Sequence, residues 1–420
     1  MTFFPRVFLN SKEEKEINQG FPWVFDNEIS HIKTKKVSAQ NEQWINVSLK
    51  EADIAPGTPV EIFTKAGGFL GTGILNKNSK ITIRIISNEH GDEVYKDIES
   101  FWSKRVSDAY NIRQIHYKNQ DSYRLIFAEA DLIPGFICER YCDENENVYL
   151  VVQFLSMSCE IFRKEILDAL EKCCRPYGIF ERSDADVRTK EGLELKAGWI
   201  GAKREEEIVI IENGIRIKVD LANGQKTGYF LDQKDNRAVA AQFCHGKSVL
   251  DTFTHTGAFG LNAFKAGAKS VISVDISEEA VETVNKNIQL NNASKVMTAV
   301  CADVFDLLKQ YEAEERKFDV IILDPPAFTK SAKMVQKAYG GYKEINLRAM
   351  RLLNKGGILV TCSCSHFFDS NTFYDMLMHA AMDSHRVVQI LEKRGAGPDH
   401  PVLLGYPKSE YLKCAITRVF

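Results

Sequence analysis

Apolar positions along this chain follow three successive patterns, and each predicts a different architecture. Up to about residue 85 the runs are short and strand-like. Val60-Glu61-Ile62-Phe63, Phe69-Leu70-Gly71-Thr72-Gly73-Ile74-Leu75 and the period-two stretch Ile81-Thr82-Ile83-Arg84-Ile85-Ile86 are broken by Gly, Pro and Asn. Close-set short strands of this kind predict a small β-barrel-like domain over residues 1–85.

Between 86 and 204 the pattern mixes. Phe101, Trp102, Val106, Ala109, Tyr110 and Ile112 recur at helical spacing above a basic opposite face. Strand runs follow at Leu125-Ile126-Phe127, Phe136-Ile137-Cys138 and 148–154, then a helix near 159–174 and a strand at Ile179-Phe180-Glu181. This predicts a central α+β domain. Its turn Glu129-Ala130-Asp131-Leu132-Ile133-Pro134-Gly135 carries two acids, but Pro-Gly makes a plain turn an equal reading.

From 205 to 420 the chain opens on a hairpin and continues as alternating strands and helices. Ile208–Ile211 and 215–219 flank Asn213-Gly214, a strong two-residue hairpin signal. Strands are then predicted at 248–251, 270–275, 297–302, 320–324 and 357–361, each separated from the next by a helix. Apolar strands so separated form a parallel sheet covered on both faces, whose ligands bind at the strands' carboxyl ends.

Composition narrows the class. With 420 residues, 44% hydrophobic and 26% charged, the chain suits an ordinary globular protein of two or three domains. No run approaches the ~18 apolar residues of a membrane span. The start, Met1-Thr2-Phe3-Phe4-Pro5-Arg6 leading to Glu13, Glu14 and Glu16, does not resemble a signal peptide, so a cytoplasmic location and no membrane partner are expected. The ten cysteines lack the spacing of a secreted disulfide framework. Cys362-x-Cys364 with His366 does not complete a tetrahedral metal site, and no metal is expected. A net charge of −3 argues against a non-specific nucleic-acid coater. It leaves room for a structured-RNA enzyme with local basic patches such as Lys33/Lys35/Lys36 or Lys330/Lys333/Lys337.

Candidate chemistry sits at the predicted strand ends. Val249-Leu250-Asp251-Thr252-Phe253-Thr254-His255-Thr256-Gly257-Ala258-Phe259-Gly260 reads as strand, tight loop and helix start. Asp275 ends the next strand, where a carboxylate can accept both hydroxyls of a ribose, and Asp303 follows the third, in reach of an adenine amino group. Each acid alone is equally a helix cap. Without a strict G-x-G-x-x-G, a pyrophosphate has less room, which favours a nucleoside cofactor lacking a diphosphate.

This arrangement resembles the class I S-adenosylmethionine-dependent methyltransferases over roughly residues 225–365. The preceding Asn223-Gly224-Gln225-Lys226-Thr227-Gly228-Tyr229-Phe230-Leu231-Asp232 is similar to a cofactor-flanking motif of rRNA methyltransferases. The resemblance implies S-adenosyl-L-methionine as cofactor. Its expected contacts are Tyr229, Asp232, Asp251, Phe253, Thr256, Gly257, Asp275, Asp303 and Asp324, with Lys226 facing the substrate.

Asp324-Pro325-Pro326-Ala327-Phe328 follows a buried strand. The two prolines fix the backbone and leave Asp324 to meet the edge of an unpaired or flipped-out base, with Pro325, Pro326 and Phe328 lining it. Such turns serve either exocyclic-nitrogen methylation or attack on cytosine carbon 5. In cytosine-C5 RNA methyltransferases a strand after a Gly-Gly turn ends in Thr-Cys-Ser, with the nucleophile seven residues past the second glycine. Counting from Gly357 reaches Cys364, not Cys362. The resemblance therefore makes Cys364 the nucleophile and Asp324 its acidic partner. Ala327 stands where the better-known branch has a second cysteine, so adduct release is expected to draw on another group, with Cys362 on the same strand face as a candidate.

Gly20-Phe21-Pro22-Trp23-Val24-Phe25-Asp26-Asn27-Glu28-Ile29 resembles the opening of a PUA domain, an RNA-binding module. The whole chain, including the tail Asp399-His400-Pro401-Val402 and Glu410-Tyr411-Leu412-Lys413, resembles the PUA-linked 23S rRNA cytosine-C5 methyltransferases of the large-subunit methyltransferase I type. The expected fold class is thus α/β: a C-terminal Rossmann-like class I methyltransferase sheet (205–420), a central α+β domain (86–204) and an N-terminal PUA-like β-barrel (1–85). The expected partner is 23S rRNA or a large-subunit precursor, with a homodimer suggested by the resemblance. Two other functions fit the same residues: methylation of a base nitrogen (guanine N7 or an exocyclic amine), and a non-catalytic RNA-binding assembly factor.

Overall fold

The computed structural model describes residues 3–37, 42–224, 227–329 and 331–420. They fall into two compact units: residues 1–206 with 221–227 and 398–409, and residues 207–220 with 228–397 and 410–420.

The first unit opens on seven strands, Arg6–Leu9, Trp23–Phe25, Ile29–Val37, Glu42–Val47, Thr58–Phe63, Phe69–Leu75 and Ile81–Ser87. They form one sheet in which the first strand lies parallel to the fifth and antiparallel to the third. Val7, Leu9, Ile32, Val60 and Ile83, each fully buried, form its core. Trp23, in the PUA-type segment, donates its indole N–H to Glu129 (2.8 Å), and Arg84 bonds both Glu129 (2.7 Å) and Glu191 (3.1 Å). The acids of the 129–135 turn are therefore structural: Asp131 takes a bidentate bond from buried Arg113 (2.6 Å twice).

The same unit holds a five-stranded sheet, Tyr123–Phe127, Phe136–Cys142, Val148–Phe154, Gly178–Ser183 and Lys196–Ile200. The helix predicted at 101–113 runs over Ile98–His116 and buries Trp102, Val106 and Ala109. The strand at Lys196–Ile200 escaped the sequence pattern because none of its side chains is fully buried, so no clean alternation marks it.

The second unit begins with the predicted hairpin, strands Glu207–Glu212 and Ile215–Asp220, turning at Asn213 (φ 51°) and Gly214 (φ 78°). Two positive φ values define a type I′ turn, which is why Asn-Gly stands there. Then come β1 (Ser248–Thr252), α1 (Ala258–Lys265), β2 (Ser270–Asp275), α2 (Glu278–Leu290), β3 (Met297–Cys301), α3 (Val304–Ala313), β4 (Phe318–Leu323), α4 (Val335–Leu352), β5 (Leu353–Ser363), α5 (Ser370–Ser384), β6 (Val388–Arg394) and β7 (Lys413–Val419). The sheet order is β3-β2-β1-β4-β5-β7-β6. β1 to β5 are parallel, and β7 inserts antiparallel between β5 and β6. Both faces of the central strands β1 and β4 are buried, consistent with their unbroken apolar runs. The strand order reverses between β1 and β4, which opens a crevice at their carboxyl ends.

Candidate active site

The loop after β1 is built to be rigid. Phe253 (φ 56°) and His255 (φ 52°) hold left-handed backbone, a conformation costing a non-glycine residue roughly 1–2 kcal/mol. Hydrogen bonds from Thr254 N to Val274 O (3.0 Å) and from His255 N to the Asp275 carboxylate (2.9 Å) keep it there. Gly257 (φ 81°) caps α1, and a Cβ on it would come within 3.0 Å of Val284. A Cβ on Gly260 would lie 2.5 Å from the Ser273 hydroxyl. These glycines let the helix pack on its neighbours, which is a different reason from cofactor approach. Thr256 is buried, and its carbonyl accepts from Asn287 (2.9 Å).

The three strand-end acids on this side have distinct surroundings. Asp251 is fully buried. One carboxylate oxygen accepts from Gly260 N and the Ser273 hydroxyl (3.0 Å each) and from Thr254; the other, Oδ1, has no hydrogen-bond partner among the described residues. Burial pushes its carboxyl up to about 6 against those donors. Asp275 is half-buried and accepts from His255 N and Ser277 N (3.1 Å). Asp303 is exposed and caps α3 through Phe305 N (2.8 Å) and Asp306 N (3.2 Å).

Tyr229 is buried, its hydroxyl donating to Glu212 (3.0 Å) beside the Arg237 guanidinium. Arg237 forms a bidentate pair with Glu212 (2.6 and 2.7 Å). Asp232 is buried and accepts from the Tyr411 hydroxyl. Lys226 lies outside the described residues, as does Lys330 of the second basic cluster.

Across the crevice, Asp324 follows β4. Gln233 donates to it (2.8 Å), Asn236 donates to Gln233 (2.7 Å), and Arg394 donates to Asn236 (2.8 Å). Burial first, and the Asp232 charge second, push the Asp324 carboxyl up to about 7. Asp324 is thus partly a neutral acid near neutrality and can donate a proton as well as accept one. Pro325 is buried and Pro326 exposed. The Phe328 ring packs 4.5 Å from Tyr342 and 6.4 Å from Phe253, joining the two loops across the switch point.

Cys364 lies one residue beyond the end of β5, half-exposed, with Sγ 4.0 Å from the Pro325 carbonyl. Sequence spacing and structure agree that this thiol meets the Asp-Pro-Pro turn. The expectation for Cys362 needs correction. Cys362 is fully buried in β5 opposite Cys414 of β7, and a hydrogen bond to that thiol together with burial pushes its own thiol well above the ordinary range. It faces Asp324 and Gln233 from inside the sheet but is sealed from solvent, whereas Cys364 lies past the strand end and is half-exposed.

Sequence reading missed Gln233 and Lys413. Lys413 is buried at the start of β7, directly opposite Ser363. A lone lysine heading the apolar run Cys414-Ala415-Ile416 was the available signal.

Known proteins bear on this geometry. The profile of the S-adenosylmethionine-dependent methyltransferase family matches residues 189–405, and that of the PUA-like domain matches residues 7–88. Ribosomal RNA large subunit methyltransferase I of Aliivibrio fischeri (strain ATCC 700601 / ES114) is 38% identical over 418 residues, covering 98% of this chain and 99% of that protein. The chain belongs to the ribosomal RNA large subunit methyltransferase I family. A second member, from Shewanella frigidimarina (strain NCIMB 400), is 38% identical over 419 residues, 99% of each chain. Among solved structures, a Streptococcus mutans protein assigned as a SAM-dependent methyltransferase superposes with TM-score 0.77 at 21% identity, over 98% of this chain and 99% of that one. A methyltransferase-fold chain complexed with SAH gives 0.78 at 21% identity, with the same coverage. Membership fixes the fold as a PUA-like N-terminal domain and a Rossmann-like methyltransferase sheet, and makes this chain an S-adenosylmethionine-dependent methyltransferase. The residues present fit that cofactor: acids end three adjacent strands, and the buried Asp251 Oδ1 is an acceptor without a described donor.

Proposed function

We propose that the protein methylates carbon 5 of a cytosine in 23S ribosomal RNA through a covalent adduct of Cys364 with carbon 6. Family membership supports the RNA substrate. The observation that carries the carbon chemistry is a half-exposed Cys364 thiol against the Asp324-Pro325 turn. Asp275 and Asp251, with the loop 253–257, hold the cofactor; Asp303 and Asp232 support its site. When bound, S-adenosylmethionine supplies a methyl group activated by its sulfonium.

Carbon 5 of cytosine is too weak a nucleophile unaided. Addition of the Cys364 thiolate forms the S–C6 bond and shifts the C5–C6 π pair toward carbon 5. Asp324 donates a proton to N3 as charge develops there, stabilising the adduct. After carbon 5 is methylated, its proton passes to water, the C5–H pair re-forms the C5–C6 double bond as the thiolate is expelled, and N3 returns its proton to the Asp324 carboxylate. Pro326 and Phe328 border the base, and Lys226 is assigned to the RNA backbone.

Residues 1–85 are read as the RNA-anchoring portion, 86–204 as the central domain and 205–420 as the catalytic portion. On the first sheet, exposed Trp44 lies 5.2 Å from Arg6 and 5.6 Å from Lys33, a cation–aromatic surface suited to single-stranded bases. Among the described residues no helix is long and apolar enough to cross a membrane. The assembly inferred is a homodimer, which light scattering reads directly.

The test is covalent trapping. RNA bearing 5-fluorocytidine should form a stable adduct mapping to Cys364, and mass mapping of 23S rRNA should lose one 5-methylcytosine in cells without the protein. Methylation of the same RNA with no adduct would favour a base nitrogen instead.

A further inference from the structure

Lys413 is a buried basic side chain whose ammonium lies beside the Cys364 segment. It opens β7 opposite Ser363, the last residue of β5, and is only 4% exposed. Its ammonium donates to the carbonyls of Ser365 (2.6 Å) and Tyr411 (2.7 Å). A side chain paired with residue 363 at its Cα and bonded to the residue 365 carbonyl at its tip runs along the chain past Cys364.

The charge balance around that ammonium is informative. Both of its hydrogen bonds end on neutral carbonyls, while a buried ammonium demands a counter-charge. Of the groups facing it, Cys364 acts on it most strongly, ahead of Asp369 and Glu410. Asp369 is already engaged in capping α5 through Thr372 N (2.7 Å). Tyr342 of α4 also faces Cys364, and its hydroxyl, pushed up to about 12 mainly by burial, stays protonated. Asp324 faces Tyr342 as well, and His366 packs on Tyr411 at 5.2 Å. Burial brings the Lys413 ammonium down to about 8, which still leaves it mostly charged at pH 7.

We propose that Lys413 is a positioning cation that holds Cys364 as a thiolate in the resting protein. The thiol proton leaves to bulk water, the S–H pair stays on sulfur, and Lys413 remains protonated with no bond made or broken. Thiolates beside lysine are stabilised in this way elsewhere. The inference deepens the reading of Cys364 as nucleophile and rests on it for its catalytic meaning, but the ion pair itself is measurable without RNA or cofactor.

The experiment is alkylation of the full-length protein by iodoacetamide across pH 5.5–10, read peptide by peptide by mass spectrometry. Exposed Cys301 serves as internal reference. In the wild type, Cys364 should react with a midpoint below the free-thiol value of ~8.5. Lys413→Met should raise that midpoint by about one unit and slow alkylation at pH 7 about tenfold, while Lys413→Arg should restore it. An unchanged midpoint in Lys413→Met overturns the proposal, as does a Lys413→Arg protein that behaves like Lys413→Met, since the effect would then be packing. If Lys413→Met unfolds, exposing buried Cys362 to alkylation, the wild-type midpoint decides, and a value at or above ~8.5 overturns it. Full methylation by Cys364→Ser would instead sink the nucleophile reading and leave the ion pair standing.

Discussion

The two halves of the sheet's carboxyl edge use the same residue types in opposite ways. At β1 to β3, Asp275 and Asp303 each accept two hydrogen bonds from the protein and brace loops and helices, and Asp251 does so through one carboxylate oxygen while its other, Oδ1, keeps no described donor and its carboxyl is pushed up to about 6. At β4 and β5, Asp324 accepts one side-chain bond and is pushed up to about 7, and Cys364 stands half-exposed with its Sγ 4.0 Å from the Pro325 carbonyl. Groups satisfied by the protein hold geometry. Groups left with spare capacity and shifted proton affinity are available to react.

The sharpest way to break that contrast is within one strand. Cys364→Ser should lower turnover by roughly 10⁴-fold or more, the scale on which losing a nucleophile acts, and abolish the 5-fluorocytidine adduct. Cys362→Ser, two residues away, should leave turnover within a few-fold and act on stability instead, through the buried Cys362–Cys414 contact. Equal losses from both would erase the distinction.

Asp324→Asn comes next, with turnover expected to fall by about 10²–10⁴-fold as proton donation to the base is lost. Its effect on stability has the opposite sign. The folded carboxyl titrates at about 7 against 3.8 free, so the stability it contributes is full below pH 4 and lost as pH rises through 7. The variant should therefore melt higher than the wild type at pH 8 and nearly equal to it at pH 4, by roughly 2–4 °C per kcal/mol recovered. Melting curves at the two pH values check the sign.

Asp275→Ala probes the bracing side. Removing a charged acceptor should weaken cofactor binding by about 10–100-fold, read by calorimetry, with turnover at saturating cofactor largely retained. The smallest effect belongs to Asp303→Ala. Loss of the α3 cap should cost about 1 kcal/mol, and cofactor affinity should move little because the side chain is exposed and committed to Phe305 and Asp306. A large affinity loss there would move Asp303 to the reacting side of the comparison.

Much of this was legible in the chain. Parallel strands buried on both faces must be apolar runs, so β1, β2 and β4 stood out, and Asn213-Gly214 marked its turn because few residues accept two positive φ values. Strand-end acids were legible as positions but not as roles, since a helix cap and a ribose contact need the same residue in the same place. Asp303 resolved toward the cap, and Tyr229 toward a buried bond with Glu212. The roles of Gln233 and Lys413 were not legible, and for Lys413 only its place at the head of an apolar run stood out: they come to Asp324 and the Cys364 segment from 91 and 49 positions away.

By itself, then, the sequence determined the strand–helix alternation, the Asp324 turn and the spacing that singles out Cys364, because each follows from local backbone preference and counting. The tertiary structure decided which acids stay available and which thiol is sealed, and it brought a buried cation to the reactive one. Those outcomes depend on desolvation and on partners delivered by the antiparallel insertion of β7, and neither is encoded within any one segment of the chain.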